Sequence, residues 1–482
     1  MMEQLLTDTL NTAPIIGTML LALIVIMINA LKKDSLAAEY WVSLIGIIGN
    51  IALAVWVFPV RGTAFEGMVL TGGFASITTI IFLVAAGLTI ILSREYIAKI
   101  GINVGEFFHL ILLAAAGMMT FAAGTDLVVT FIGLELMSIV LYSLAGISRR
   151  VLKANEAALK YFLLGAFASG FFLYGIALIY GTAETTNILE IAQNLQALKS
   201  EPLFLTGVGL LLIGFAFKVG AVPFHMWVPD VYEGSPTMVS AFMSTGAKAA
   251  AFTALLLVFT ATFDFADSSI NTVFAVLAVA SMVIGNVVAL SQSNLKRMLA
   301  YSSIAHAGYM LIGITVGGDM SLAGVLFYVV SYMFTNIGAF GIAAVIENKE
   351  QGGTDIDDFR GLYYRRPSLA VLMSVFMFSL VGLPPLAGFF GKYYIFVAAI
   401  EGGYTWLTII GVITSMISVY YYLRGDVLPD RGAAGKYRVL GRQRVRPGTV
   451  RRGHPADRHL PVLDTHVDGP LILEAHASCL HI

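Results

Sequence analysis

Four ionisable side chains stand inside apolar stretches of this 482-residue chain, and each needs a physical reason to be there. A charged side chain at the centre of a bilayer costs at least about 2.5–3.5 kcal/mol on insertion scales. Glu135 lies in VVTFIGLELMSIVLY, with no charged neighbour within eight residues. Lys218 lies in LLIGFAFKVGAVPFHMWVPD and is followed by Pro223, His225, Trp227 and Pro229. Lys248 lies among small residues in SPTMVSAFMSTGAKAAAFTALLLVF, too deep to reach either end easily. Lys392 closes FMFSLVGLPPLAGFFGKYYIF, behind Pro384 and Pro385. Desolvation and nearby charge together set the proton affinity of a buried lysine. Moving a countercharge toward or away from it therefore lets it bind and release a proton. Three lysines and one glutamate on separate helices can form a row of such sites, bridged by Tyr, Ser and buried water. His225 and His306 are candidate relays, because an unperturbed histidine titrates near neutrality. Each residue has a plainer alternative. Glu135 could bond a neighbouring helix, Lys218 could snorkel to the surface, and either histidine could be held by a structural hydrogen bond.

These residues need helices to hold them, and the composition says in what solvent. The chain is 58% hydrophobic and 12% charged, where a soluble domain runs near a quarter charged. Lipid must therefore cover much of its surface. A spanning helix needs roughly 20 mostly apolar residues. Thirteen candidates precede residue 425, near 14–31, 40–59, 70–93, 107–123, 126–147, 158–181, 203–223, 238–261, 271–291, 299–316, 321–346, 369–392 and 404–423. The first is read as a retained helix, since no basic stretch precedes it. The prolines after Lys218 and before Lys392 predict two broken helices, the seventh and twelfth, because proline removes a backbone donor and obstructs the preceding turn. Irregular backbone at membrane depth is tolerated only inside protein or beside a wet cavity. The two breaks are five helices apart, and an odd number of helices reverses topology, which suggests an inverted repeat. Basic residues fill every second loop: Lys32 and Lys33, Arg94 and Lys99, Arg149, Arg150 and Lys153, Lys296 and Arg297, Arg360, Arg365 and Arg366, then Arg424. By the positive-inside rule these loops are cytoplasmic and the N-terminus lies outside.

Other chemistry is excluded. A net charge of −1 suggests no nucleic-acid partner. The single cysteine, Cys479, rules out a disulfide framework, an iron–sulfur cluster and a cysteine-based zinc site. The sequence shows no phosphate-binding glycine loop and no clustered histidines. No cofactor or metal is expected in this chain. At Gly425 the composition changes. The next 58 residues hold nine of the 29 Lys and Arg, five of the eight His and the cysteine, without helical or strand periodicity. This stretch reads as a basic extension or, preferentially, as a frameshift product that replaces a fourteenth helix.

The segments FIGLELMSIVLY, FKVGAVPFHMWVPDVYEGSPT, LKRMLAYSSIAHAGYM and GLPPLAGFFGK, in that order, resemble the subunit N family of bacterial NADH–quinone oxidoreductase, respiratory complex I. The likeness runs over residues 1–424. It implies an all-α polytopic fold of fourteen helices with two inverted five-helix repeats and broken helices seven and twelve. Residues 1–106 would then carry helices one to three, 107–261 the first repeat and 271–424 the second, with 425–482 as the atypical tail. The resemblance makes Glu135 the helix-five glutamate, Lys218 the helix-seven lysine paired with it, Lys248 the central helix-eight lysine and Lys392 the helix-twelve lysine. It implies proton transport coupled to electron flow from NADH to quinone, in a multi-pass protein of the cell inner (plasma) membrane. FMN, iron–sulfur clusters and quinone would sit on partner subunits, and other membrane subunits, including neighbouring antiporter-like ones, would flank this chain in the bilayer. The alternatives are a subunit of a stand-alone cation/proton antiporter and a structural membrane scaffold.

Overall fold

A computed structural model describes residues 2–32, 35–101, 105–262, 268–347 and 353–424. The atypical tail and Lys33 lie outside these residues. The first described element is an exposed amphipathic helix, α1 (Met2–Asn11), which precedes the first expected span. Two apolar helices follow, α2 (Ala13–Leu31) and α3 (Leu36–Val57). A short antiparallel hairpin, β1 (Gly62–Ala64) with β2 (Val69–Thr71), then replaces the first residues of the expected 70–93 span. Gly72 and Gly73 turn the chain with φ of 63° and 41°, and the backbone oxygen of Val60 would lie 1.7 Å from a Cβ at Gly72. Glycine meets both demands. Helix α4 (Gly73–Ile100) starts there.

Helices α5 (Glu106–Ala123) and α6 (Leu127–Ala145) are antiparallel neighbours that meet through Gly133, whose Cβ would stand 2.2 Å from the Phe121 backbone nitrogen. Small residues let membrane helices approach this closely. Then come α7 (Leu152–Ala183), the short surface helices α8 (Ile188–Gln193) and α9 (Leu195–Leu198), and α10 (Pro202–Val219). Helical geometry stops at Gly220 (φ 73°) and resumes in α11 (Trp227–Gly234). The next span runs as α12 (Thr237–Phe242), a π-helical turn (Met243–Ala247) and α13 (Lys248–Thr262). Helices α14 (Ser268–Ala289), α15 (Leu295–Val316) and α16 (Gly318–Ile346) follow, and Gly285 brings α14 within contact of the α15 backbone at Ala305.

A 3-10 turn (Ile356–Phe359) and α17 (Leu362–Arg365) lead to α18 (Pro367–Val381), α19 (Ala387–Glu401) and α20 (Thr405–Leu423). The span expected at 369–392 is thus two helices, with the chain out of helical geometry from Gly382 through Pro384 and Pro385 to Leu386. Lys392 therefore sits within α19 rather than closing a helix. Twelve helices among the described residues are long and apolar enough to cross a membrane, with Pro367–Val381 a shorter apolar helix besides. Their outward faces carry apolar side chains such as Leu23, Ile48, Leu163, Phe167 and Met416, the surface that lipid covers.

Two elements are built alike. Asp126 caps α6 by accepting from the Val128 and Val129 backbone N–H groups, at 2.8 and 3.3 Å. Asn294 caps α15 by accepting from Lys296 and Arg297, at 3.0 and 3.3 Å. Such side-chain acceptors satisfy backbone donors that have no partner within the helix. Asp126 forms an isolated antiparallel bridge with Asn187, and Asn294 forms one with Asp355.

Candidate functional site

Lys218, Lys248 and Lys392 are 6%, 3% and 5% exposed, and His306 is 3% exposed. Lys218 does not snorkel. Its Nζ donates to Ser138 Oγ of α6 at 2.7 Å and reaches Tyr142 Oη at 3.5 Å, close to the Tyr142, Tyr161 and Phe217 rings. Residues 135, 138 and 142 share one face of α6 through the helical period. Glu135 is half-buried on that face and accepts a hydrogen bond from Ser169 of α7. Lys218 and Glu135 form no direct ion pair. Ser138 takes the lysine, and its own hydroxyl donates to the Leu134 carbonyl. Lys218 thus meets α6 one turn beyond Glu135 and is not in contact with its carboxylate.

Lys248 follows the π-helical turn, a distortion that often marks functional positions. Its ammonium donates to the Ser303 carbonyl at 2.6 Å and to Ser303 Oγ at 3.0 Å, both on α15. The end of α10 adjoins it, since a Cβ at Gly220 would lie 4.0 Å from Lys248 Nζ. Asn336 of α16 donates to Ser244 in the π turn at 2.7 Å and to Tyr332 Oη at 3.0 Å, while its Oδ1 is buried without a partner. An unsatisfied acceptor here suits a buried water.

From Ser303 a polar stripe runs along α15. His306 lies one turn on, with Nδ1 2.7 Å from Tyr328 Oη and Nε2 3.0 Å from Tyr422 Oη. Tyr422 also bonds Ser302. Tyr309, a further turn along, meets His306 edge-on with ring centroids 5.7 Å apart. The Lys392 ammonium lies 4.8 Å from the Tyr309 ring centroid. Lys392 donates to the carbonyls of Leu380 and Val381 at 3.1 and 2.7 Å and to Ser415 Oγ at 2.8 Å. Those carbonyls are exposed by the end of α18, so the lysine caps the break it stands beside.

His225 is not brought into this row. It lies half-buried in the stretch between α10 and α11, with its buried Nδ1 lacking a partner. Besides the capping Asp126, two buried charged residues were missed by sequence reasoning. Glu39 is fully buried and bonded to Ser35; it stands one residue outside the apolar window that drew attention. Lys296 is 3% exposed; beside Arg297 it reads as a loop charge. Among the described residues, no group of three or more His, Cys, Asp or Glu side chains is placed to hold a metal ion.

A family model described as "NADH:quinone oxidoreductase/Mrp antiporter, TM" matches residues 124–418. NADH-quinone oxidoreductase subunit N of Trichlorobacter lovleyi is 48% identical over 408 residues, 84% of this chain and 83% of the relative. Subunit N 1 of Chloroherpeton thalassium is 46% identical over 423 residues, covering 87% and 88%. Among solved structures, a chain of respiratory complex I from Thermus thermophilus is 34% identical with a TM-score of 0.72, covering 89% of this chain and 95% of that one. A chain of the Mrp complex from Dietzia shares the fold at a TM-score of 0.74 and 22% identity, covering 88% and 81%.

Proposed function

Because this chain belongs to the family of NADH-quinone oxidoreductase subunit N, the antiporter-like membrane subunits of respiratory complex I, we propose that Glu135, Lys218, Lys248 and Lys392 carry its share of proton translocation, with His306 as the relay between the last two. The chain is a multi-pass membrane subunit of a proton-translocating enzyme complex and works among other membrane subunits. The observation that carries the site assignment is the stripe on α15. Ser303, His306 and Tyr309 lie on successive turns of one helix face: Ser303 accepts from the Lys248 ammonium, the His306 and Tyr309 rings meet edge-on, and the Lys392 ammonium lies over the Tyr309 ring. Each lysine is bonded to neutral oxygens rather than to a carboxylate, so none is locked into an ion pair that holds its proton permanently.

Family membership supports placing flavin, iron–sulfur clusters and the quinone site on partner subunits and this chain in the inner membrane, and the basic residues in every second loop support a cytoplasmic face for those loops. The two five-helix units, 107–261 and 271–424, are an inverted repeat. What supports this is the matching pair of caps and bridges, Asp126 with Asn187 and Asn294 with Asp355, and the matching helix breaks before α11 and α19. On that correspondence Ser138 and His306 stand at the same twelve-residue distance from their caps. The stand-alone antiporter is the weaker alternative, since the likeness to the Mrp complex shows the fold alone.

Glu135→Gln tests the assignment. The amide keeps the acceptor for Ser169 but loses the charge on the face of α6 that Lys218 meets at Ser138. Complex carrying this variant should assemble normally, and its NADH-driven proton uptake in reconstituted vesicles should fall severalfold. Undiminished uptake would refute the role of Glu135.

A further inference from the structure

Lys296 is buried at the start of α15, and the row of proton sites just described does not use it. Its ammonium donates to the Ser235 carbonyl at 2.6 Å. No carboxylate among the described residues lies within ion-pair distance of it. A lysine ammonium has three donors, and one acceptor leaves two unspent. The Ser235 hydroxyl at the same turn is also buried without a partner. Two adjacent buried polar groups with spare bonding capacity are what a transient water or a moving proton requires.

The turn that holds Ser235 is gripped on its far side. Tyr96 Oη of α4 accepts from the Thr237 backbone N–H at 2.8 Å and donates to Glu347 at 2.8 Å. Thr237 Oγ1 donates to the same Glu347 carboxylate at 2.6 Å. Beside it, reached through its neighbour Gly234, lies a charged cleft of about 180 Å³ whose lining includes Lys153, Lys160, Asp230, Glu233 and Arg297. Arg297 bridges Asp230 and Glu233 at 2.7 and 3.1 Å. Two lining residues, Gly234 and Arg297, are the chain neighbours of Ser235 and Lys296. Inward, Lys296 and Ser303 lie seven residues apart on α15, which is two turns on one face. Ser303 is the residue that accepts from Lys248.

We infer that Lys296 is the uptake site of the proton row: protons from the charged cleft load Lys296 beside Ser235 and pass along α15 to Ser303 and Lys248. This rests on the proton-handling reading of Lys248. The alternative role for Lys296 is structural, an ammonium tied to the Ser235 carbonyl. Arginine and glutamine separate the two. Both can donate to that carbonyl, but arginine cannot release its proton and glutamine has none to exchange.

The test uses the intact complex in proteoliposomes, with Lys296→Arg, Lys296→Gln and Lys248→Arg compared for assembly and for NADH-driven proton uptake. The expected result is that both Lys296 variants assemble and take up protons at least about fivefold more slowly, in line with loss of a proton-transfer group. Should one of them fail to assemble, the other decides. Uptake at the wild-type rate in an assembled Lys296 variant, with Lys248→Arg impaired, overturns the uptake site and leaves the wider reading standing. Wild-type uptake in all the variants overturns both.

Discussion

Complex carrying Lys248→Ala should assemble yet take up protons at least about tenfold more slowly than wild type, the scale of losing a group that transfers protons in a limiting step. Two features of the site lead to this. Lys248 is bonded only to Ser303, so its removal strands no carboxylate. Taking one partner from a buried ion pair is strongly destabilising because the other charge is left uncompensated; here no such partner remains. The Ser303 hydroxyl keeps its own bond to the Ala300 carbonyl at 2.8 Å. Function fares differently. The lysine sits where the end of α10, the π turn and the α15 stripe converge, and alanine cannot hold a proton there. A coupled cycle runs no faster than its slowest proton transfer, so the loss should appear in the rate of vesicle acidification driven by NADH. Acidification at the wild-type rate would remove Lys248 from the row.

Lys392→Leu should lose both stability and pumping. Lys392 donates to the Leu380 and Val381 carbonyls at the end of α18. Ser415 also donates to Val381 at 3.2 Å, so leucine leaves the Leu380 carbonyl as the stranded group. An unsatisfied buried acceptor costs about 1–3 kcal/mol. Gly382 adds a steric condition, because its position leaves room for little beyond the Lys392 side chain, with Cδ 3.1 Å from where a Cβ would be. Heating the solubilised complex should therefore release this chain at a lower temperature than in wild type. Lys392→Gln can still donate to one carbonyl and should recover most of the stability but not the pumping. Equal recovery of both would make Lys392 a cap and nothing more.

Much of the site was legible in the sequence for one reason: lipid makes every buried charge conspicuous. Glu135, Lys218, Lys248 and Lys392 each interrupt a long apolar run, so their type and place alone single them out. The spans were legible for the same reason, since length and apolarity suffice for a helix that lipid surrounds. What the sequence could not show is which oxygen meets which ammonium. That Ser138 rather than Glu135 receives Lys218, or that Ser303 receives Lys248, depends on helix rotation and closeness of approach, and these are set by tertiary packing at glycines such as Gly133 and Gly285. Lys296 was hidden by its context. Next to Arg297 and after a polar turn it looks like any basic loop residue, and only the fold shows that it turns inward while Arg297 turns to Asp230 and Glu233 in the charged cleft. The 369–392 span misled in a related way. Its apolar run continues past two prolines, but proline supplies no donor, so the helix ends at Val381 and a new one carries Lys392.

The central claim is that a buried lysine in this chain must bind and release a proton for the complex to pump. Lys248→Arg tests it most directly, because arginine keeps the positive charge and the donors to Ser303 while holding its proton permanently. The measurement is proton uptake by proteoliposomes containing the purified complex, recorded together with NADH oxidation. Uptake at least about tenfold below wild type, with the chain present in normal amount, is the predicted result. Wild-type uptake, with the same number of protons moved per NADH oxidised, would contradict it.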